Sequence, residues 1–168
     1  MPHLTVIVAS DGNNVQLAQH VATEAEALGH SVSTVQLNAF DLPLFNLQRD
    51  AGSPPTGLQG LKQALGEGDA WVVLAPEYNG SMPPTLNNAI AWLSRDGDDF
   101  RAMFRNRPVA LGTHSGGGGP HVVMAMRMQF AYLGCNVIGR SLVVNKHKPV
   151  NPDSIRDVLS SLLLGLGA

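Results

Sequence analysis

Five short runs rich in apolar and β-branched residues recur along the chain, each followed by a stretch with helical spacing. The runs are Leu4 to Ala9 (LTVIVA), Ser31 to Leu37, Asp69 to Ala75, Pro108 to Thr113, and a fifth contained within Val137 to Val144. A run that is apolar throughout, such as LTVIVA, reads as a strand covered on both faces. Ser31 to Leu37 alternates instead and reads as a strand more exposed on one face. Helical patterns fall between and after them. Val15, Ala18, Val21, Ala22, Ala25 and Leu28 share one face, with Asn13 or Asn14 as cap and Gly29 as stop. Leu58, Leu61, Ala64 and Leu65 mark a short helix. Pro84 to Arg95 and His121 to Leu133 mark two more. Asn151-Pro152 opens the last, whose stripe is Ile155, Val158, Leu159, Leu162 and Leu163. Strictly alternating strand and helix predicts an α/β domain over 1–168 with a parallel sheet and helices on both faces.

The expected strand order is 2-1-3-4-5, the doubly wound, flavodoxin-like arrangement. It sets strands 1, 3 and 4 side by side, with all carboxyl ends on one edge. The loops that follow those strands, Ser10 to Asn14, Pro76 to Pro83 and Thr113 to Pro120, are the ones richest in Gly, Pro, Asn and Ser. They are therefore expected to converge at the switch point between strands 1 and 3, where such folds bind ligands. Their backbone donors suit a flat, anionic cofactor.

Composition excludes other classes. The formal net charge of −2 gives no electrostatic case for a nucleic acid or an acidic membrane as partner. The single Cys135 excludes an intrachain disulfide framework and a cysteine metal cluster, and no metal site is expected. Met1-Pro2-His3 leads straight into a strand without a signal-peptide pattern, and no apolar run is long enough to span a bilayer, so the expected compartment is the cytoplasm. A charged fraction of only 14% suggests surface covered by a cofactor or by other subunits.

The segment PEYNGSMPPTLNNAIAWLSR (76–95) resembles the family of NADPH-dependent FMN reductases. Asp41-Leu42-Pro43-Leu44-Phe45 resembles that family's segment after strand 2. Thr113-His114-Ser115 with Gly116 to Gly119, followed by a helix ending at Leu133-Gly134, resembles its third loop. The resemblance covers about residues 4 to 145. It implies a homodimer or homotetramer with one FMN per subunit. It also implies hydride transfer from NADPH or NADH to the flavin, and from there to a small-molecule acceptor: a free flavin, a quinone, an azo compound or an oxidised metal ion. No catalytic side chain is required, because the flavin carries the chemistry.

On this resemblance the cofactor-binding residues are Ser10, Asn13 and Asn14 for the phosphate, Pro76, Glu77, Tyr78, Asn79, Gly80 and Ser81 along the ring edge, and Ser115, Gly116, Gly117 and Gly118 in the third loop. The glycines are expected to offer N–H groups at a helix N-terminus to the charge that reduction places near ring positions N1 and O2. Tyr78 is expected as a wall or stacking partner. The phosphate loop departs from the family pattern. It is shortened to Ala9-Ser10-Asp11-Gly12-Asn13-Asn14 and lacks an arginine, while Asp11 has the wrong sign. Two unit charges about 4 Å apart at an effective dielectric near 20 repel by about 4 kcal/mol. Asp11 turns away, or FMN binds weakly, or neutral donors suffice; alternatively Asp11 caps the helix.

Two other readings compete: a flavodoxin-like binding module with weak or lost flavin binding, and a one-electron carrier, against which the small net charge argues. His114 and His121 flank the glycine loop as packing or ligand-contact residues. Trp92 reads as core or subunit contact, and the helix bearing Met124, Met126 and Met128 as partly buried against another subunit. Cys135 reads as structural. Lys146-His147-Lys148 reads as a solvated basic turn that could attract a phosphate.

Overall fold

Apolar β-branched residues fill the central strands because those strands are covered on both faces. The computed structural model describes residues 1–95 and 98–166. Its sheet comprises β1 (His3–Val8), β2 (Ser31–Gln36), β3 (Ala70–Leu74), β4 (Pro108–His114) and β5 (Asn136–Val144). All four pairings are parallel, and the order is β2-β1-β3-β4-β5, as expected from the alternation. The connecting helices are α1 (Asn13–Ala27), α2 (Leu47–Asp50), α3 (Thr56–Gly66), α4 (Pro84–Leu93), α5 (Pro120–Tyr132) and α6 (Pro152–Leu163). The one-turn α2 and a 3-10 turn at Leu37–Phe40 lie in the long connection after β2, where no helical repeat is visible in the sequence.

Side-chain alternation divides the core in two. Leu4, Val6 and Val8 of β1 and Val72 and Leu74 of β3 face α1 and α6, meeting Leu17, Val21, Ile155, Val158 and Leu159. Ile7, Trp71, Val73 and Leu111 face α3, α4 and α5, meeting Leu61, Ile90, Val122, Met126 and Phe130. Trp71 donates its indole N–H to the Leu65 carbonyl at 3.0 Å and meets Phe104 edge-on at 5.9 Å. The larger rings therefore fill the α3–α5 side without leaving a polar atom unpaired.

The connection after β2 is clamped to α4. Asn88 accepts a hydrogen bond from the Phe45 amide at 2.7 Å and donates to the Leu42 and Pro43 carbonyls. Trp92 donates to the Pro43 carbonyl at 2.7 Å and meets Phe45 edge-on at 5.2 Å. Trp92 is 3% exposed and so belongs to the core.

Two glycines of α3 differ sharply in what surrounds them. A Cβ on Gly57 would fall 1.7 Å from the Phe40 carbonyl oxygen, whereas one on Gly60 would sit 3.6 Å from the Phe40 ring. Gly57→Ala should destabilise the protein by roughly 1–3 kcal/mol or more. Gly60→Ala should be neutral or stabilising by up to about 1 kcal/mol, through helix propensity. Urea unfolding midpoints of the two variants check this pair.

Candidate functional site

The three loops predicted to converge do so, and a continuous chain of polar contacts holds them together. α1 begins at Asn13 with Gly12 as its N-cap, and no side chain caps it. The expectation that Asn13 or Asn14 caps this helix is therefore corrected. Asn14 is 1% exposed and turns the other way, accepting from the His114 amide at 2.8 Å and donating to the His114 carbonyl at 3.3 Å. That pair ties the first loop to the end of β4. One residue on, the Ser115 hydroxyl lies 2.7 Å from that of Thr113 and accepts from the Glu77 amide at 2.8 Å, tying in the loop after β3.

Glu77 completes the chain. Its carboxylate accepts from the amides of His121 and Val122, at 3.0 and 3.2 Å, in the first turn of α5. Its other oxygen lies 3.5 Å from the His121 ring. The sequence reading offered this helix terminus to charge developing on the flavin; the structure gives it to Glu77. An acidic side chain at a helix N-terminus is stabilised by the same partial charge that would have drawn the cofactor. Gly119, at φ 85°, is the N-cap, and a Cβ there would meet the Thr113 side chain at 2.4 Å.

The tip of the second loop is a tight hairpin. Tyr78 and Ser81 exchange both backbone hydrogen bonds at 3.0 Å, and Asn79 and Gly80 between them have φ of 52° and 74°. Asn-Gly is the pair that tolerates two positive φ values in sequence. The hairpin consumes the amides of Tyr78 and Ser81, and Ser115 consumes that of Glu77. Asn79, Gly80 and Met82 keep N–H groups without a partner among the described residues of this loop. Pro76 is buried behind it, and Tyr78 stands 51% exposed on the rim.

The rim also holds donors with nothing to donate to. Ser10 is 7% exposed, yet its hydroxyl has no hydrogen-bond partner. The amides of residues 10 to 14 have none among the described residues either, and no acidic side chain stands in the first turn of α1. A buried hydroxyl left unpaired costs free energy unless a ligand supplies the acceptor. Asp11, the residue of the wrong sign, is exposed and accepts from the Asn38 side chain at 2.7 Å, so it turns toward the connection after β2 instead of capping α1. Asn13 is exposed on the first turn of the helix. Gly116, Gly117 and Gly118 line a second stretch of rim and keep their amides free among the described residues. These donors fit FMN: a hydroxyl and free amides at one helix N-terminus would meet its phosphate through neutral groups, with the glycine loop and the Tyr78 hairpin beside them.

The model for the family described as NADPH-dependent FMN reductase matches residues 2–149. The chain belongs to that family. It is accordingly an oxidoreductase that uses FMN with NADPH or NADH. A 2-hydroxy-1,4-benzoquinone reductase from Burkholderia sp. is 29% identical over 162 residues, covering 94% of this chain and 85% of that one. A quinone reductase from Escherichia coli K12 is 33% identical over 120 residues, which cover 68% of this chain and 60% of that enzyme. Among solved structures, the flavoenzyme NAD(P)H:(acceptor) oxidoreductase FerB of Paracoccus denitrificans superposes with a TM-score of 0.71 at 22% identity, covering 98% of this chain and 92% of that one.

Other candidates fall away from this rim chemistry. Cys135 is buried, and burial pushes its thiol up to about 12, with Arg107 opposing the shift, so it has no thiolate to offer. Sequence reasoning missed the role of Asn14 as a clip between loops, because a side chain's long-range partner leaves no mark on local spacing. It missed Asn145 for the same reason: that residue folds the turn beside the glycine loop and donates to the Gly118 carbonyl at 3.4 Å.

Asn14→Ala should leave the His114 amide unpaired and cost about 1–3 kcal/mol. Asn14→Asp should recover the bond to the amide but set a carboxylate against the His114 carbonyl. Chemical unfolding should rank the wild type above both variants.

Proposed function

We propose that the chain, acting as one domain over 1–168, passes hydride from NAD(P)H through FMN to a small acceptor of the quinone class. The Burkholderia and E. coli relatives are quinone reductases, which supports this acceptor class. The observation that carries the binding site is the buried, unpartnered Ser10 hydroxyl beside the free amides at the start of α1. In this reading Ser10, Asn13 and those amides hold the FMN phosphate through neutral donors and the helix N-terminus, worth typically ~0.3–1 kcal/mol and up to ~2 kcal/mol for an anion. Asn14 positions that loop from behind. Asn79, Gly80 and Gly116 to Gly118 offer main-chain donors to the ring edge, and Tyr78 walls one side. Pro76, Glu77, Ser81 and Ser115 set the shape of the two loops.

When bound, FMN supplies the hydride acceptor and donor that no protein side chain can provide. The protein's task is to leave one face of that ring open and to exclude charge from the apolar acceptor's path. No helix among the described residues is long and apolar enough to cross a membrane, and a cytoplasmic location suits an enzyme that draws on NAD(P)H.

We also place a second copy of the chain against α5. Met124, Met128 and Tyr132 lie four residues apart along one face of that helix and are 63%, 74% and 69% exposed. Burying a Met side chain contributes roughly 1.5–3 kcal/mol, and such a stripe on an otherwise polar surface marks an interface. Sedimentation should show a dimer or larger assembly, reduced in mass by Met128→Glu combined with Tyr132→Glu. A monomeric wild type overturns the interface.

The direct test is an absorbance spectrum before and after FMN addition. A flavin-like spectrum, with NADPH oxidation restored by FMN and passed to a benzoquinone, is expected. A colourless protein with no FMN affinity overturns the proposal and leaves a flavin-free binding module. Ser10→Ala should lower FMN affinity about tenfold, as for a lost hydrogen bond to a charged group, while leaving riboflavin affinity unchanged. It should not destabilise the flavin-free protein, because the hydroxyl it removes is unpaired there. Asp11→Asn should raise FMN affinity.

A further inference from the structure

The rim is bordered by two grooves of opposite charge. One, of about 540 Å³, runs between the first loop and α4 and is lined by Asp11, Asn38, Asp41 and Asn88 among others. The other, of about 470 Å³, is lined by Gly116, Gly117, Gly118, Asn145, Lys146, His147 and Lys148. Both volumes are in the range of small-molecule sites. The second groove shares the glycine floor of the flavin site.

Its outer wall is built, not loose. Asn145 and Lys148 exchange backbone hydrogen bonds at 2.9 and 3.1 Å. The Asn145 side chain accepts from the amides of His147 and Lys148 at 2.9 and 3.0 Å, and donates to Gly118 across the groove. The turn thus holds Lys146 and Lys148 on a fixed frame, with both residues exposed. Neither lysine has an acidic partner among the described residues. The carboxylates of nearby α6 are engaged elsewhere: Asp157 with Arg140 at 2.7 Å, and Asp153 with Arg156. Glu77, the acid closest to Gly117, is held by the first turn of α5. Two uncompensated ammonium groups therefore stand beside the glycine loop, in a protein whose net charge is −2.

We propose that this groove seats the phosphates of the reducing dinucleotide, and that Lys146 and Lys148 grip the 2′-phosphate that separates NADPH from NADH. This rests on the reading that the dinucleotide delivers hydride to FMN on the same rim. The two grooves beside the rim offer contrasting environments to the adenosine end of a dinucleotide. Asp11 and Asp41 repel a polyanion from the first, while the lysines attract it to the second. Lysine binds a phosphomonoester as a mobile point charge with three donors, and the preformed turn reduces the ordering cost.

Calorimetric titration of FMN-loaded protein with adenosine 2′,5′-bisphosphate and with 5′-AMP tests the assignment. The bisphosphate should bind at least tenfold more tightly, with the difference shrinking as sodium chloride rises. Lys146→Ala with Lys148→Ala should abolish the difference and lower the ratio of kcat/KM for NADPH over NADH by about tenfold, mainly through KM. Lys146→Arg with Lys148→Arg should preserve the difference. Equal binding of the two probes, or an unchanged difference in the alanine variant, overturns the assignment while FMN reduction by NADPH continues. Flavin absorbance of the same samples separates the cases: protein that retains no FMN overturns the enzymatic reading together with this one.

Discussion

The backbone of His114 is where the functional rim is held together. β4 ends there, beyond its last pairing with β3 at Gly112, and the His114 amide and carbonyl find their partners outside the sheet. Asn14 supplies both missing partners from the start of α1. Ser115 and Glu77 extend the same solution to the loop after β3 and to the first turn of α5. Each contact contributes about a kcal/mol, yet breaking one strands a buried group at a larger cost. Three loops widely separated in the chain are thereby made one surface, and every ligand contact inherits its position from that chain of hydrogen bonds.

The same chain decides how charge is distributed. Glu77 neutralises the N-terminus of α5, so the glycine loop offers a set of backbone dipoles and not a helix end. The N-terminus of α1 stays uncompensated, because Asp11 points to Asn38 and no other acid stands in its first turn. In the proposed reading the α1 terminus takes the FMN phosphate and the glycines its ring edge. In that reading, geometry stands in for the arginine of the family pattern. A buried hydroxyl and free amides offer the hydrogen bonds without a full positive charge, and affinity for the cofactor then depends on preorganisation more than on Coulomb attraction.

Much of this was legible in the residues. Apolar β-branched runs separated by helical periods leave few topologies, among them the doubly wound order that the sheet adopts. The density of Gly, Pro, Asn and Ser after strands 1, 3 and 4 announced irregular, ligand-presenting loops. The Pro76 to Pro84 segment and the glycines at 116 to 119 marked the rim for the same reason. Other readings went astray where a polar side chain had two possible partners. Asn14 was a plausible cap and is instead a clip to His114. The α5 terminus was a plausible anion site and is filled by Glu77. In both cases the rival partner lies far along the chain, at a distance that only folding abolishes.

By itself, then, the sequence determined the class of fold, the rim that carries function and the family to which the chain belongs, because those rest on periodicity, on backbone-permissive residues and on contiguous motifs. The tertiary structure decided which donors on that rim remain free, which way Asp11 turns, and that the Lys146 to Lys148 turn borders the glycine loop. Those are outcomes of competition among polar groups brought together from distant segments. Such competition is settled by distance and burial, neither of which is written in the order of residues.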